Sequence, residues 1–158
     1  MTIRIGSGYD VHAFAPDRPL VLGGVTIPFE LGLSGHSDGD TVIHAIVDAL
    51  LGASALGDIG TYFPSSAARW KNQPGSVFLD STYQMLCQQK WAISNIDATI
   101  VAERPKLAPY IEAMRAHIAT HLHLPLEQIS IKATTTDGLG FAGRQEGVAC
   151  YAVALIER

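Results

Sequence analysis

The chain has 158 residues, 47% of them hydrophobic and only 16% charged, with a formal net charge of −4. That is apolar material enough for one domain, which at this size buries about 70% of the surface its unfolded chain exposes and needs neither disulfides nor a structural metal. The mild negative charge argues against a nucleic-acid or polybasic membrane surface, and no stretch reaches the ~20 apolar residues of a membrane span.

Ile3 to Phe14, IRIGSGYDVHAF, reads as a first strand with apolar residues at Ile3, Ile5, Val11 and Phe14. Asp10 and His12, separated by one residue, point to the same side of such a strand and aim a carboxylate and an imidazole at one ion. Pro19 to Phe29 reads as a short hairpin turning at Gly23-Gly24. The stretch from Ser34 to Pro64 then opens with a polar, glycine-punctuated loop, Ser34 to Asp40, and runs into an apolar segment, Val42 to Leu51, with Gly52 shortly after. Loop followed by helix is the expectation, with Ser37, Asp38 or Asp40 placed to cap the helix. Asp40, His44 and Asp48 are spaced by four and form one polar stripe on that apolar helix. Buried His and Asp need partners, and a metal or polar ligand is the simplest one.

Asp58-Ile59-Gly60 and Phe63-Pro64 lead into a polar run, Ser65 to Gly75, expected as an exposed loop of a length that is often functional. Ser76 to Trp91 reads as a helix with Val77, Leu79, Tyr83, Met85 and Leu86 on its apolar face, and Ile93 to Ala102 as an alternating strand. Glu103-Arg104-Pro105-Lys106 connects to a helix from Pro109 to Leu122. His117 and His121 share a face of it at metal-pair spacing, but the Glu of a metalloprotease motif is missing and the helix dipole favours His at a C-terminus, so no metal is assigned there. Ile129 to Thr135 is a third long strand. Gly138-Leu139-Gly140-Phe141-Ala142-Gly143 matches GxGxxG literally, yet a last strand, Val148 to Ile156, follows it instead of a helix and a strand-borne acid. It is not a dinucleotide fingerprint; its glycines let the backbone turn tightly or approach a ligand or neighbouring subunit. Cys87 and Cys150 form no CxxC and read as small hydrophobes in a reducing compartment, so with MTIRIGSGYD lacking a signal-peptide core the expected location is cytoplasmic. The whole pattern predicts a single α/β (α+β) domain over 1–158: a four-stranded mixed sheet with helices on one face, plus a small β-hairpin.

Two chemistries stand out. Asp10, His12 and His44 supply two imidazoles and a carboxylate, which leaves the fourth position open, as in a catalytic zinc site. Asp48 is an outer partner of that site or a solvated acid. Lys132 to Asp137 sets three hydroxyls and several amides after a strand, with Asp137 as a magnesium acid and Lys106 and Arg144 as cations suited to phosphate. No Walker loop is present, which excludes an ordinary P-loop kinase or GTPase.

Several blocks together resemble the cyclodiphosphate synthases of the non-mevalonate isoprenoid pathway. They are Gly8 to Phe14, His36-Ser37-Asp38-Gly39-Asp40 with His44-Ala45 and Asp48 to Gly52, and Gly57 to Gly60 with Phe63-Pro64. Arg104-Pro105-Lys106, Lys132 to Thr136 and Gly140 to Arg144 continue the match over essentially the whole chain. The resemblance implies that the 2-phosphate of 4-diphosphocytidyl-2-C-methyl-D-erythritol 2-phosphate attacks its own β-phosphate, releasing CMP and a cyclic diphosphate. It implies zinc, or another divalent transition metal, on Asp10, His12 and His44, with His36 and Thr135 stabilising the transition state. Ser37 would position the substrate, Asp58, Ile59, Gly60 and Phe63 would line the methylerythritol pocket, and Ala102, Pro105, Lys106, Leu107 and Ala108 would hold the cytidine and its phosphates. Thr134 and Thr136 would flank Thr135 on the substrate, and Asp137 would carry magnesium or manganese. A homotrimer with active sites between subunits is implied too, with Phe141 and Arg144 at a cavity on its axis able to hold an isoprenoid diphosphate. The chain departs from the family in having Asp137 where Glu is frequent, and Ser65 and Ala67 where acids are common. A zinc phosphohydrolase using the same ligands, and an isoprenoid-diphosphate-binding trimer without turnover, are the alternative readings.

Overall fold

The structure is a computed structural model that describes residues 1–158. Its spine is strand β1 (Ile3–Ala15), whose two faces meet different surroundings. Ile3, Ile5, Tyr9 and Val11 are exposed on one side. On the other, Gly6 and Gly8 lie against helix α1 (Thr41–Ala53): a Cβ added at Gly8 would sit 2.8 Å from Ala49 N and closer still to the carbonyl oxygen of Ala45. Only a residue without a side chain lets strand and helix backbones come so near.

Helix α1 is buried almost all round, and Asp40 caps it by accepting from Val42 N and Ile43 N. The same carboxylate also accepts from Gly23 N at 2.9 Å and Gly24 N at 2.7 Å. Those glycines form the turn of the hairpin β2 (Leu20–Leu22) and β3 (Val25–Ile27), as expected from the sequence. One side chain therefore ties hairpin to helix and satisfies four amides that would otherwise be orphaned.

The main sheet runs β4-β1-β7-β5-β6, where β4 is Gly32–Leu33, β5 Ala92–Val101, β6 Ile129–Thr134 and β7 Gly147–Glu157. It is mixed, β5 and β6 being parallel and the other pairs antiparallel. The four expected long strands are all present. The fifth is β4, too short for any periodicity, paired at Phe14↔Leu33 and Ala15↔Gly32. Helices α1, α3 (Gly75–Gln88) and α4 (Ile111–Leu122) cover one face. Helix α3 stops short of the expected Trp91, with Lys90 in the left-handed region at φ 62°. Single turns α2 (Ile59–Tyr62) and α5 (Gly140–Gly143) sit in the connections.

The core lies between sheet and helices. Ile43, Ile46, Leu50 and Leu51 from α1 meet Leu79 and Leu86 from α3, Ile96 and Ile100 from β5, and Met114 and Ile118 from α4. Each such side chain, once buried, contributes about 1.5–3 kcal/mol. The opposite face of β1 and β7 carries no long helix: Ile5 is 70% exposed and Tyr151 57%. No helix is long and apolar enough to cross a membrane.

Candidate active site and metal centre

Asp10 and His12 leave β1 on the α1 side, and His44 leaves the first turn of α1 toward them. Asp10 Oδ2 lies 2.9 Å from His12 Nε2 and 3.1 Å from His44 Nδ1, and the two nitrogens are 3.2 Å apart. A tetrahedral metal with ligand bonds of about 2.0–2.1 Å has ligand–ligand edges of about 3.3–3.4 Å. The triangle is one face of such a polyhedron, contracted by a few tenths of an ångström.

The far side of each imidazole is engaged as well. His12 Nδ1 bonds the Ser34 carbonyl, and His44 Nε2 lies 3.2 Å from Ser37 Oγ. A carbonyl only accepts, so His12 Nδ1 carries a proton and the lone pair of neutral Nε2 faces a carboxylate oxygen. Two acceptors that close repel unless a cation, a proton or a metal ion, lies between them. Burial by itself raises a carboxyl, but the hydrogen bonds and charge of His12 and His44 outweigh it and hold Asp10 at about 2. Burial lowers the His12 imidazole, and Asp10 and the Ser34 carbonyl more than reverse this, leaving it above its ordinary value. The donor set fits a divalent transition metal, and it is the one cluster of three such side chains in the chain.

A cavity of about 240 Å³ opens over the triangle, walled by His36, Ser37, Ile59, Gly60, Phe63 and Trp70 among others. Its rim is built largely from main chain. Arg18 donates from Nη1 to Gly35 O at 2.8 Å and from Nη2 to Ser37 O at 2.6 Å, while Asn72 N donates to His36 O at 2.9 Å. Asp38 N reaches Gln73 O and Gly75 N reaches the Asp38 carboxylate, so the run from Ser65 to Gly75, expected as an exposed loop, is docked against the His36 segment. Trp70 completes the wall, with ring centroids 5.1 Å from Phe63 and 5.9 Å from Phe78. Only His44 of the polar stripe on α1 belongs to the metal cluster: Asp40 is the cap, and Asp48 accepts from Ile59 N at 2.7 Å. Asp48 thereby pins the start of α2, so it is neither a partner of the histidines nor a solvated acid. Asp58 caps α2 through Thr61 N and sits beside the cavity, not in its wall.

A second cavity of about 230 Å³ collects Ala102, Pro105, Lys106, Leu107 and Ala108, together with Thr134 and Thr135. It lies at the β5–β6 edge. From β1 to β6 the sheet order crosses β7 and β5; three steps of about 4.8 Å make roughly 14 Å. Within one chain, Thr135 therefore does not meet His36. Thr136 and Phe141 line a third cavity, on the bare face of the sheet with Tyr9, Leu139 and Tyr151. Arg144 pairs with Glu146 at 2.8 Å, outside the walls of all three cavities. Asp137 is exposed at φ 52°, its carboxylate 3.5 Å from Thr135 Oγ1. Glu103, read from the sequence as plain connection, accepts from Thr136 N at 2.8 Å and Gly138 N at 3.3 Å and shapes this loop.

The model of the YgbB family matches residues 3–157. The chain belongs to the YgbB family. A relative from Moorella thermoacetica, named 2-C-methyl-D-erythritol 2,4-cyclodiphosphate synthase, is 55% identical over 154 residues, covering 98% of this chain and 94% of its own. Among solved structures, the bifunctional IspDF protein of Campylobacter jejuni superposes with a TM-score of 0.94 at 41% identity, over 98% of this chain and 42% of that one. A Plasmodium falciparum structure described as a CDP complex gives 0.86 at 34% identity, covering 98% and 95%. YgbB membership accounts for the fold as a whole, the five-stranded sheet and the separate hairpin included.

Proposed function

We propose that the chain is a metal-dependent lyase converting 4-diphosphocytidyl-2-C-methyl-D-erythritol 2-phosphate to 2-C-methyl-D-erythritol 2,4-cyclodiphosphate and CMP. The observation that carries the reading is the Asp10–His12–His44 triangle facing a cavity, in a chain of this family. Asp10 Oδ2, His12 Nε2 and His44 Nδ1 would hold the metal, zinc or a similar divalent ion, which would supply positive charge to phosphate oxygens. His36 and Ser37 face the same cavity and offer donors to the reacting phosphates, while Ile59, Gly60 and Phe63 hold the methylerythritol and Asp58 reaches it from beside the wall. The nucleophile is already attached to its target, so the residues have only to fold the substrate for in-line attack and offset phosphate repulsion.

The cytidine end occupies the Ala102–Ala108 cavity, with Lys106 and Thr134 to Thr136 around its phosphates, a reading supported by the CDP complex of the Plasmodium falciparum relative. Asp137 would hold magnesium or manganese, a single carboxylate being an ordinary protein share for that ion, whose charge would offset that of the phosphates. The two cavities share no residue, and β1 and β6 lie roughly 14 Å apart across the sheet, which favours a site composed from neighbouring copies, in which His36 of one chain and Thr135 of another act together. The uncovered apolar face of β1 and β7 supports a homotrimer, with the Phe141 cavity on its axis and Arg144 as the cation for the phosphates of an isoprenoid diphosphate. Two free cysteines agree with a reducing, cytoplasmic setting.

The test is phosphorus NMR of the products formed from the cytidine diphosphate substrate with zinc and magnesium. A cyclic diphosphate with stoichiometric CMP is expected. A linear bisphosphate would make it a hydrolase, and no turnover in metal-replete protein would leave a binding trimer. Co-expressing His44→Ala with Lys106→Ala tests the composite site: hybrid assemblies recover part of the activity that each variant lacks alone.

A further inference from the structure

We infer that Arg18 is a positioning residue for the His36–Ser37 segment, an inference that rests on the proposed phosphoryl transfer. Residues Ser34 to Gly39 are small or polar, so no apolar anchor fixes this loop. Its place is set by hydrogen bonds to four consecutive carbonyls. His12 Nδ1 takes Ser34 O, Arg18 takes Gly35 O at 2.8 Å and Ser37 O at 2.6 Å, and Asn72 N takes His36 O at 2.9 Å. Arg18 thus holds the carbonyls of the residues on both sides of His36 with one planar fork.

The two ends of the loop are the outer partners of the two metal imidazoles, Ser34 for His12 and Ser37 for His44. They are not equally secured. Ser34 N is also bonded to Ala13 O at 2.8 Å, on the end of β1, whereas the carbonyl of Ser37 depends on Arg18. Loss of Arg18 therefore leaves the Gly35 and Ser37 carbonyls without their partner, while the Ser34–His12, Asn72–His36 and Gln73–Asp38 contacts stay in place. The metal stays, and the residues flanking His36 shift. Arg18 is half-buried and follows Asp17 in the left-handed region at φ 59°, a sharp turn after β1 that aims the guanidinium across the loop. The fork geometry matters because an ammonium is a point donor that cannot reproduce two fixed N–H directions.

The experiment compares wild type, Arg18→Ala and Arg18→Lys in metal content, melting temperature, kcat and KM, with and without added guanidinium at low concentration. Wild-type turnover tests the proposed reaction by itself, so its failure is distinct from failure of the role of Arg18. With turnover established, Arg18→Ala is expected to keep its metal and lose about ten- to a hundredfold in kcat, the scale of an ångström-level misplacement, with KM nearly unchanged. Guanidinium restores part of that loss, and Arg18→Lys falls between. If Arg18→Ala does not fold, the kcat of Arg18→Lys decides alone. Wild-type kcat in the variant that folds, loss of the metal, or a loss of kcat that neither guanidinium nor lysine relieves overturns the assignment.

Discussion

Gly8→Ala places a methyl group at the tightest point between β1 and α1. The new carbon would lie 2.8 Å from Ala49 N and nearer still to Ala45 O, both main-chain atoms that cannot rotate aside. An ordinary contact needs about 3.4 Å, so α1 must retreat by more than about 0.6 Å. Ala45 is the neighbour of His44, and the retreat therefore passes directly into the metal triangle. Metal sites hold their distances to within about 0.2 Å, so the displacement exceeds their tolerance by at least about threefold. A packed core accepts the same strain for about 1–3 kcal/mol, which in a domain of this size lowers the melting temperature by about 2–12 °C. The variant is expected to fold and to bind zinc at least tenfold more weakly. Competition against a chromogenic chelator, beside calorimetric melting of the metal-free protein, measures both. Wild-type metal affinity with an unchanged melting temperature would refute the reasoning.

Asp40→Ala removes the acceptor of four amides; the lost cap and the stranded Gly23 and Gly24 amides together cost about 3 kcal/mol or more. Asp40→Asn keeps Oδ1 for three of those bonds and melts between the two. His44→Ala loses both bound metal and turnover, because a two-ligand site holds zinc poorly, and elemental analysis checks it. His117→Ala and His121→Ala leave metal content unchanged, since His117 packs on Gly24 and His121 is paired with Asp80 at 2.8 Å. Metal affinity falls as pH drops through the raised His12 value, because a proton then competes for Nε2; titrations at several pH values check this, and an affinity drop that His12→Ala leaves unshifted would refute it. Metal-free protein shows the opposite sign: the raised His12 value stabilises the fold fully below about pH 6.5, and that contribution is lost as pH rises through the folded value.

Residues whose role follows from local period were legible in the sequence. Asp10 and His12 share a face because strands alternate, and His44 stands out as a polar residue in a buried helix. The same reasoning placed Asp40 among the caps of α1, which it is, but did not reach its other partners or the role of Asp48. Spacing by four places them on the face of His44, but their partners are amides of Gly23, Gly24 and Ile59 that arrive from elsewhere in the fold. Strand β4 left no signal because two residues carry no periodicity. The docking of Ser65 to Gly75 rests on main-chain bonds such as Asn72 N to His36 O, which no side-chain pattern encodes. That His36 and Thr135 stand at separate cavities is a matter of strand order, visible only once β7 and β5 are placed between them.

Strand β1 serves two readers at once: its even positions from Gly6 to His12 address helix and metal, and its odd positions address the bare face. Deleting a single residue between Gly6 and Asp10 would put the two halves of the strand out of phase, so that either the glycines or the metal ligands face the wrong side. Insertions and deletions in this segment are therefore tolerable only in pairs. Directed evolution of this scaffold should find length changes in the connections, such as the one between α3 and β5, and essentially none along β1.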